Sequence, residues 1–156
     1  MKHILLSAIG SHPQLITETL YGLYAAGKPH PDEIYVITTL DSVKKLKQGL
    51  LADGQLAKFE AHYSRPAAIF NDNHIWVIED SVGRPAFDAK NAQEQIAMAD
   101  FITRKVYALT SRDDVAVHAS VSGGRKTMAF YLGYAMSLLG RKQDELSHVF
   151  LTSSPR

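Results

Sequence analysis

The sequence predicts an α/β fold, in which an open, mainly parallel sheet has helices on both faces. Short runs rich in Val, Ile and Leu recur along the 156 residues, and a longer stretch with helical spacing follows each of the first four. This alternation is typical of βαβ units around a parallel sheet. With 46% hydrophobic and 21% charged residues, the composition is that of a globular protein. The length suits a single domain, residues 1–156.

Strands and helices alternate along the whole chain. The apolar runs predict five strands, at His3–Ala8, Ile34–Thr39, Ile75–Glu79, Val115–Ser120 and His148–Thr152. The helical spacing between them predicts four helices, at about Gln14–Ala26, Ser42–Glu60, Ala89–Thr110 and Gly124–Leu139. Segments 62–73 and 80–91 are rich in Pro, Gly, Asn and Asp, which predicts loops. Because βαβ crossovers are right-handed, the loops after the strands gather at one edge of the sheet, where ligands of such sheets bind.

Charge and composition exclude several classes of function. A formal net charge of +1 is not that of a broadly basic surface, so we expect no long nucleic acid as a partner. The one like-charge run, "KKLK", is interpreted as a solvated helix face. The sequence has no cysteine, which excludes thiol catalysis and fits a reducing cytoplasm. The apolar run after Lys2 is too short to span a bilayer, so no membrane partner is expected.

The stretch "AIGSHPQLITETL" joins the first predicted strand to the first helix, and we call residues 9–13 the serine loop. Gly10 ends the strand, Ser11 has the position of a helix N-cap, and Gln14 completes a capping-box spacing. These residues fit a plain helix cap. The same geometry leaves backbone N–H groups of the first helical turn facing the sheet edge, where they can bind a phosphate. His12 is the one histidine that we consider close to this candidate site.

The stretch "SVSGGRKTMAF" follows the fourth predicted strand, and we call residues 121–125 the glycine loop. Arg125 and Lys126 fall in the first turn of a helix, where the helix dipole disfavours cations. A bound anion would stabilise this arrangement, and glycines would let it approach the backbone. The candidate phosphate contacts are Ser122, Gly123, Gly124, Arg125, Lys126 and Thr127. The spacing differs from the Walker A motif, so we expect no NTPase. Cations that face solvent or pair with carboxylates are the alternative.

The two loops flank one crevice if the first and fourth strands are neighbours, as in doubly wound sheets whose order reverses beside the first strand. We assume that adjacency. It would bring Ser11 and Gln14 opposite Arg125 and Lys126, and the site would have anion donors from two helix starts.

Other residues have weaker patterns. Arg84 and Asp88, after the third strand, lie on the same edge and could line the ligand site, although an ordinary loop ion pair is the alternative. The seven histidines lack the spacing of metal ligands, so neither a metal nor another cofactor is expected. Aromatic residues at helical spacing are interpreted as core or interface; they are Tyr21, Tyr24, Phe130, Tyr131 and Tyr134.

From Ile4 to Leu151, the chain resembles the CARF (CRISPR-associated Rossmann fold) proteins of type III CRISPR systems, in particular the group of ring nucleases and Csm6-like sensors. The matching segments are "GSHPQLITETLY", "IYVITT", "HASVSGGRKTMAFYLGYAMSLLGR" and "QDELSHVFL". The S-x-G-G-R-K-T-M, L-G-R and L-S-H-V motifs are the most specific of these.

The resemblance implies a Rossmann-like homodimer whose paired loops form a pocket for a cyclic oligoadenylate messenger, with cyclic tetraadenylate as the expected ring. In ring nucleases of this group, a ribose 2′-hydroxyl attacks the neighbouring phosphate without a metal. The positions that match the functional motifs are Ser11, which would hold the scissile phosphate or 2′-hydroxyl, and Lys126, which would stabilise the developing charge or the leaving 5′-oxygen. The resemblance further implies ligand contacts at Gln14, Gly123, Gly124, Arg125 and Thr127. The loop patterns add Gly10, His12, Ser122 and Arg84 to the predicted ligand-binding residues.

Two other functions stay open. One is a sensor domain, either stand-alone or truncated from a Csm6-like effector ribonuclease, that binds the ring without cutting it. The other is an α/β enzyme acting on an unrelated mononucleotide. Family members that act as effector ribonucleases carry a second, HEPN-type domain. This sequence stops at "FLTSSPR" and has no R-x-x-x-x-H motif in a suitable position. We therefore expect no ribonuclease activity against cellular RNA.

Overall fold

Five strands pair in parallel to form one sheet in the computed structural model, which describes residues 1–86, 91–121 and 126–147. The strands are β1 (Lys2–Ala8), β2 (Glu33–Thr38), β3 (Ile75–Val77), β4 (Val115–Ser120) and β5 (Glu145–Ser147). Their order across the sheet is β3-β2-β1-β4-β5. The predicted α/β fold class is confirmed, and so is the assumed adjacency of the first and fourth strands.

Five α-helices cover the two faces of this sheet. They are α1 (Gln14–Ala25), α2 (Leu40–Lys47), α3 (Gln55–His62), α4 (Ala92–Thr110) and α5 (Lys126–Leu139). A π-helical turn (Gln48–Ala52) follows α2, and a 3₁₀ turn (Asp72–His74) precedes β3. None of the helices in the described ranges is long and apolar enough to cross a bilayer.

Alternate residues of β1 belong to two different hydrophobic clusters. Ile4 and Leu6 pack with residues of α4 and α5, such as Met98 and Leu132. Leu5 packs in the other cluster, with residues of α1, α2 and α3. Because both faces of the central strand are buried, its sequence is a continuous apolar run rather than an alternating one.

The single helix predicted at Ser42–Glu60 is wrong, because the chain there forms α2, the π-helical turn and α3. The break lies at Gly54, whose φ of 72° is in the left-handed region that glycine adopts at little cost. Leu46 on α2 and Leu56 on α3 are buried in the same cluster. The apolar spacing therefore continues across the break, which is why the sequence pattern did not reveal it.

The strand predicted at His148–Thr152 lies outside the described residues, and β5 occupies the three residues before it. The fourth helix begins at Ala92, after Asn91, whose side chain accepts a hydrogen bond from the Glu94 N–H at 2.8 Å. This N-cap places the start of α4 later than the predicted Ala89.

Candidate functional site

The serine loop and Val121, the first residue of the glycine loop, follow neighbouring strands of the sheet. They follow β1 and β4, which pair directly, with Ser7 aligned to Ser120 at the last paired position. The order of the sheet reverses at this point, because β2 lies on one side of β1 and β4 on the other. Neighbouring strands lie about 4.8 Å apart. The two loops therefore begin on either side of one crevice at the carboxyl edge, as open α/β sheets require for a ligand site.

Ser11 does not cap α1, so the predicted capping box with Gln14 is wrong. The N-cap is Pro13, which has helical backbone angles and no side chain that could accept a capping hydrogen bond. The Leu15 N–H instead donates to the His12 carbonyl at 3.1 Å, so a backbone turn closes the start of the helix. Because proline has a fixed φ and no N–H, it begins a helix without help from an upstream hydroxyl. The half-buried Ser11 side chain is not needed to hold α1 in place.

Lys126 is the first residue of α5, and its side chain is exposed. The first turn of α5 contains no acidic residue, so no carboxylate there offsets the repulsion between this cation and the helix dipole. Met128, two residues later, is fully buried and fixes the start of the helix on the core. The predicted contacts Ser122, Gly123, Gly124 and Arg125 lie outside the described residues.

The remaining predicted contacts near the crevice are all accessible. Gly10 and Thr127 are half-buried, and His12 and Gln14 are exposed. The structure brings these four residues, with Ser11 and Lys126, to the carboxyl edge of the two central strands.

Arg84 lies elsewhere on this edge, in the loop after the outermost strand β3, two strands from β1. Its guanidinium pairs with Asp80 at 3.6 Å, and Asp80 also accepts hydrogen bonds from the N–H groups of Val82 and Arg84, at 3.0 and 2.9 Å. The pKa of Asp80 is below its ordinary value, chiefly because the Arg84 N–H donates a hydrogen bond to the carboxylate. The hydrogen bond from the Val82 N–H and the Arg84 charge lower this pKa further, although burial opposes them. Arg84 thus forms an ordinary loop ion pair, with Asp80. Asp88 lies outside the described residues.

Buried hydroxyl groups, which the sequence analysis missed, lie beneath the loops. Ser7, Thr38 and Ser120 are at most 1% exposed and stand near the carboxyl ends of β1, β2 and β4. The hydroxyl oxygens of Ser7 and Thr38 have no hydrogen-bond partner among the described residues. The sequence signal that could have revealed them is the presence of small hydroxyl residues within otherwise apolar strands. They place hydrogen-bonding groups under the crevice where apolar side chains would pack better.

Two lysines were also missed. A cavity of about 510 Å³ opens beside the serine loop, and Ser11, Pro13, Lys44, Lys45, Gln48 and Gly49 are among its lining residues. The sequence analysis interpreted Lys44 and Lys45 as a solvated helix face. They are exposed, yet they belong to the wall of a cavity that includes Ser11, so this face of α2 adjoins the candidate site.

Within the described ranges, no three His, Asp or Glu side chains converge as they would around a metal ion. The cavity has one carboxylate among its described lining residues, that of Asp53, and the other polar groups of the site include hydroxyls, backbone N–H groups and lysine ammonium groups. Such groups donate hydrogen bonds to oxyanions, and at this sheet edge they suit a ligand that carries phosphate.

No curated protein matches this sequence. A family model does match it, over residues 12–155, and its description is CRISPR-associated protein NE0113 (Cas_NE0113). The match begins one residue after Ser11, so it leaves out β1 and covers the other four strands and all five α-helices, including Lys126 at the start of α5. The chain therefore belongs to the CRISPR-associated NE0113 protein family.

Proposed function

We propose that this CRISPR-associated protein is a CARF-type ring nuclease, which binds cyclic tetraadenylate in the cytoplasm and linearises it to switch off type III CRISPR signalling. The observation that carries the proposal is the direct pairing of β1 with β4. The strand that leads to Ser11 thus ends next to the strand that precedes α5, which begins at Lys126. A phosphodiester held between them would contact a hydroxyl and a cation from two different helix starts.

The reaction needs only orientation and charge stabilisation from the protein. The ribose 2′-oxygen forms a bond to the adjacent phosphorus, the bond from phosphorus to the 5′-oxygen breaks, and the proton of the 2′-hydroxyl ends on that 5′-oxygen. No water is consumed, and the product is linear with a cyclic 2′,3′-phosphate end. Lys126 supplies the charge that stabilises the crowded phosphate, and Ser11 holds the phosphate or the 2′-hydroxyl in line.

A homodimer is part of the proposal because α5 exposes an apolar stripe. Phe130, Tyr134 and Leu138 are 66%, 56% and 62% exposed, and they follow Lys126 at intervals of four residues, on one side of the helix. The rings of Phe130 and Tyr134 stack at 6.3 Å between centroids. A second copy packed on this stripe about a two-fold axis would cover it and bring two Lys126 side chains towards one ring.

A sensor that binds the ring without cutting it is the second candidate function. The first turns of α1 and α5 contain no acidic residue, so neither helix start offers a carboxylate that could take the proton from the 2′-hydroxyl. A site that only binds the ring would have the same composition.

One experiment separates these functions. The purified protein is incubated with radiolabelled cyclic tetraadenylate in excess EDTA, products are resolved over time, and binding is measured in parallel by filter retention. Linear diadenylate with a cyclic phosphate end, formed by the unaltered protein and not by Lys126→Ala, supports the ring nuclease. Tight binding of an intact ring supports the sensor, and neither binding nor cleavage overturns both functions.

A further inference from the structure

We propose that the cavity beside the serine loop is a second subsite of the ligand site, in which Lys44 and Lys45 bind the phosphate next to the one held at Ser11. This inference rests on the proposed function, because a phosphate flanks the scissile one only in an oligonucleotide. It assigns two residues of α2 to substrate binding, in addition to the two helix starts at the crevice.

The charges of the cavity favour an anion. Lys44 and Lys45 both line it, whereas Lys47, on the same helix, does not. Among the described residues, Lys47 pairs with Asp72 at 3.8 Å, and it is the only one of these three lysines with an ion-pair partner. Asp53, the one carboxylate among the described lining residues, accepts a hydrogen bond from the Gln48 side chain at 2.7 Å. Two ammonium groups are therefore left to attract a phosphate, to which lysine binds as a compact point charge.

The wall of the cavity is fitted closely to the serine loop. A Cβ atom on Gly49 would clash with Cγ of Pro13 and lie 3.1 Å from the side-chain nitrogen of Gln55, so a larger residue there would push the loop away. Gly49 belongs to the π-helical turn, and such turns occur often at functional sites. Ser11 lies two residues before Pro13 in the chain. The contact of Gly49 with Pro13 therefore also fixes α2 and its lysines relative to Ser11.

The size and the remaining groups suit one nucleotide. A volume of about 510 Å³ is within the range of small-molecule sites, about 300–1,000 Å³. Gln48 and Gln55 also line the cavity, and a glutamine amide can pair with the hydrogen-bonding edge of adenine. The subsite would thus hold the nucleotide that adjoins the scissile bond and help to place that bond in line.

The test compares two double variants that remove the same charge. Lys44→Ala/Lys45→Ala changes the cavity, and Lys47→Ala/Lys58→Ala removes two exposed lysines of α2 and α3 that do not line it. The probe is cyclic tetraadenylate methylated on its 2′-oxygens, which cannot be cleaved, and its Kd is measured at several salt concentrations. We expect the Kd to rise at least about tenfold in the first variant, with a shallower salt dependence, and to stay within about twofold in the second.

Each outcome has one meaning. Equal Kd values for the two variants, with tight binding by the unaltered protein, overturn the subsite and leave the proposed function standing. A fall in melting temperature of the first variant with an unchanged Kd shows that the lysines only stabilise α2, which also overturns it. If the unaltered protein binds neither this probe nor unmethylated cyclic tetraadenylate, the proposed function fails, and the subsite fails with it.

Discussion

Charged side chains at the amino edge and at the carboxyl edge of the sheet differ in whether they have a partner of opposite charge. At the amino edge, Arg112 donates to both carboxylate oxygens of Glu33, the first residue of β2, at 3.4 and 3.3 Å. At the carboxyl edge, Lys126 begins α5 with no acidic residue in its helical turn. The Arg112–Glu33 pair is satisfied within the protein, whereas the Lys126 side chain beside the crevice is exposed to solvent.

The densest pairing is that of Arg141 with Asp144, just before β5. The Arg141 side chain donates to the carboxylate at 2.9 Å and to the carbonyl oxygens of Arg112 and Val115 at 2.6 and 3.0 Å. The side chain of Asp144 is almost fully buried, and its carboxylate also accepts a hydrogen bond from the Val117 N–H at 2.8 Å. This cluster joins the end of α5 to β4 and β5, and it satisfies a buried carboxylate.

This difference in charge pairing distinguishes residues that stabilise the fold from residues that are available to bind a ligand. A buried and fully bonded ion pair is costly to break from one side, because the remaining charge loses its partner. A cation exposed at a helix start adds little to stability and repels the helix dipole. We therefore expect substitutions of the paired residues at the amino edge to change unfolding, and substitutions of Ser11 and Lys126 at the carboxyl edge to change activity.

The largest expected effect is on cleavage, in Lys126→Ala. The single-turnover rate of cyclic tetraadenylate cleavage should fall by about 10²–10³, the usual loss when one donor to a developing negative charge is removed. The melting temperature should not change. Lys142→Ala is the matched control, since Lys142 is an exposed lysine between α5 and β5 at the opposite edge. An equal rate in the two variants would remove Lys126 from the mechanism.

The next effect is on stability, in Asp144→Ala. The free energy of unfolding should fall by about 3 kcal/mol, because Arg141 and the Val117 N–H lose a buried partner. Asp113→Ala, at an exposed acidic residue before β4, should change it by no more than about 0.5 kcal/mol. Urea unfolding of both variants measures the difference. A loss of less than about 1 kcal/mol in Asp144→Ala would show that the cluster does not hold this edge together.

The fold was largely predictable from the sequence, but parts of the site were not. Six of the nine predicted elements, such as α1 and β4, are found within a residue or two, because a parallel sheet buried on both faces leaves continuous apolar runs. The break at Gly54 was not predictable from periodicity, since α2 and α3 bury apolar residues in the same cluster. Lys44 and Lys45 resembled any solvated helix face, because only the packing of Gly49 against Pro13 brings them beside Ser11.

A smaller effect is expected in Ser11→Ala. The cleavage rate should fall by about tenfold, as expected when one neutral hydrogen bond to the reacting group is lost. The melting temperature should stay the same, because Pro13, and not Ser11, is the N-cap of α1. A drop in melting temperature with an unchanged rate would assign Ser11 to the fold and would weaken the contrast between the two edges.

The smallest effect is on the pH dependence of stability, and it comes from the amino edge. Burial by itself would raise the pKa of Asp144, but hydrogen bonds from Arg141 and the Val117 N–H, with the Arg141 charge, outweigh it and lower the pKa below its ordinary value of 3.8. The unfolded chain therefore binds this proton more readily than the folded one. The stability that the carboxylate supplies is fully present above the ordinary pKa and is lost as the pH falls through the lowered value.

Acid unfolding curves measure this effect. Between the ordinary and the lowered pKa of Asp144, the curve of Asp144→Ala should be shallower than that of the unaltered protein, while Ser11→Ala should keep the original slope. Identical slopes in all three proteins would show that Asp144 does not contribute to the acid dependence of stability.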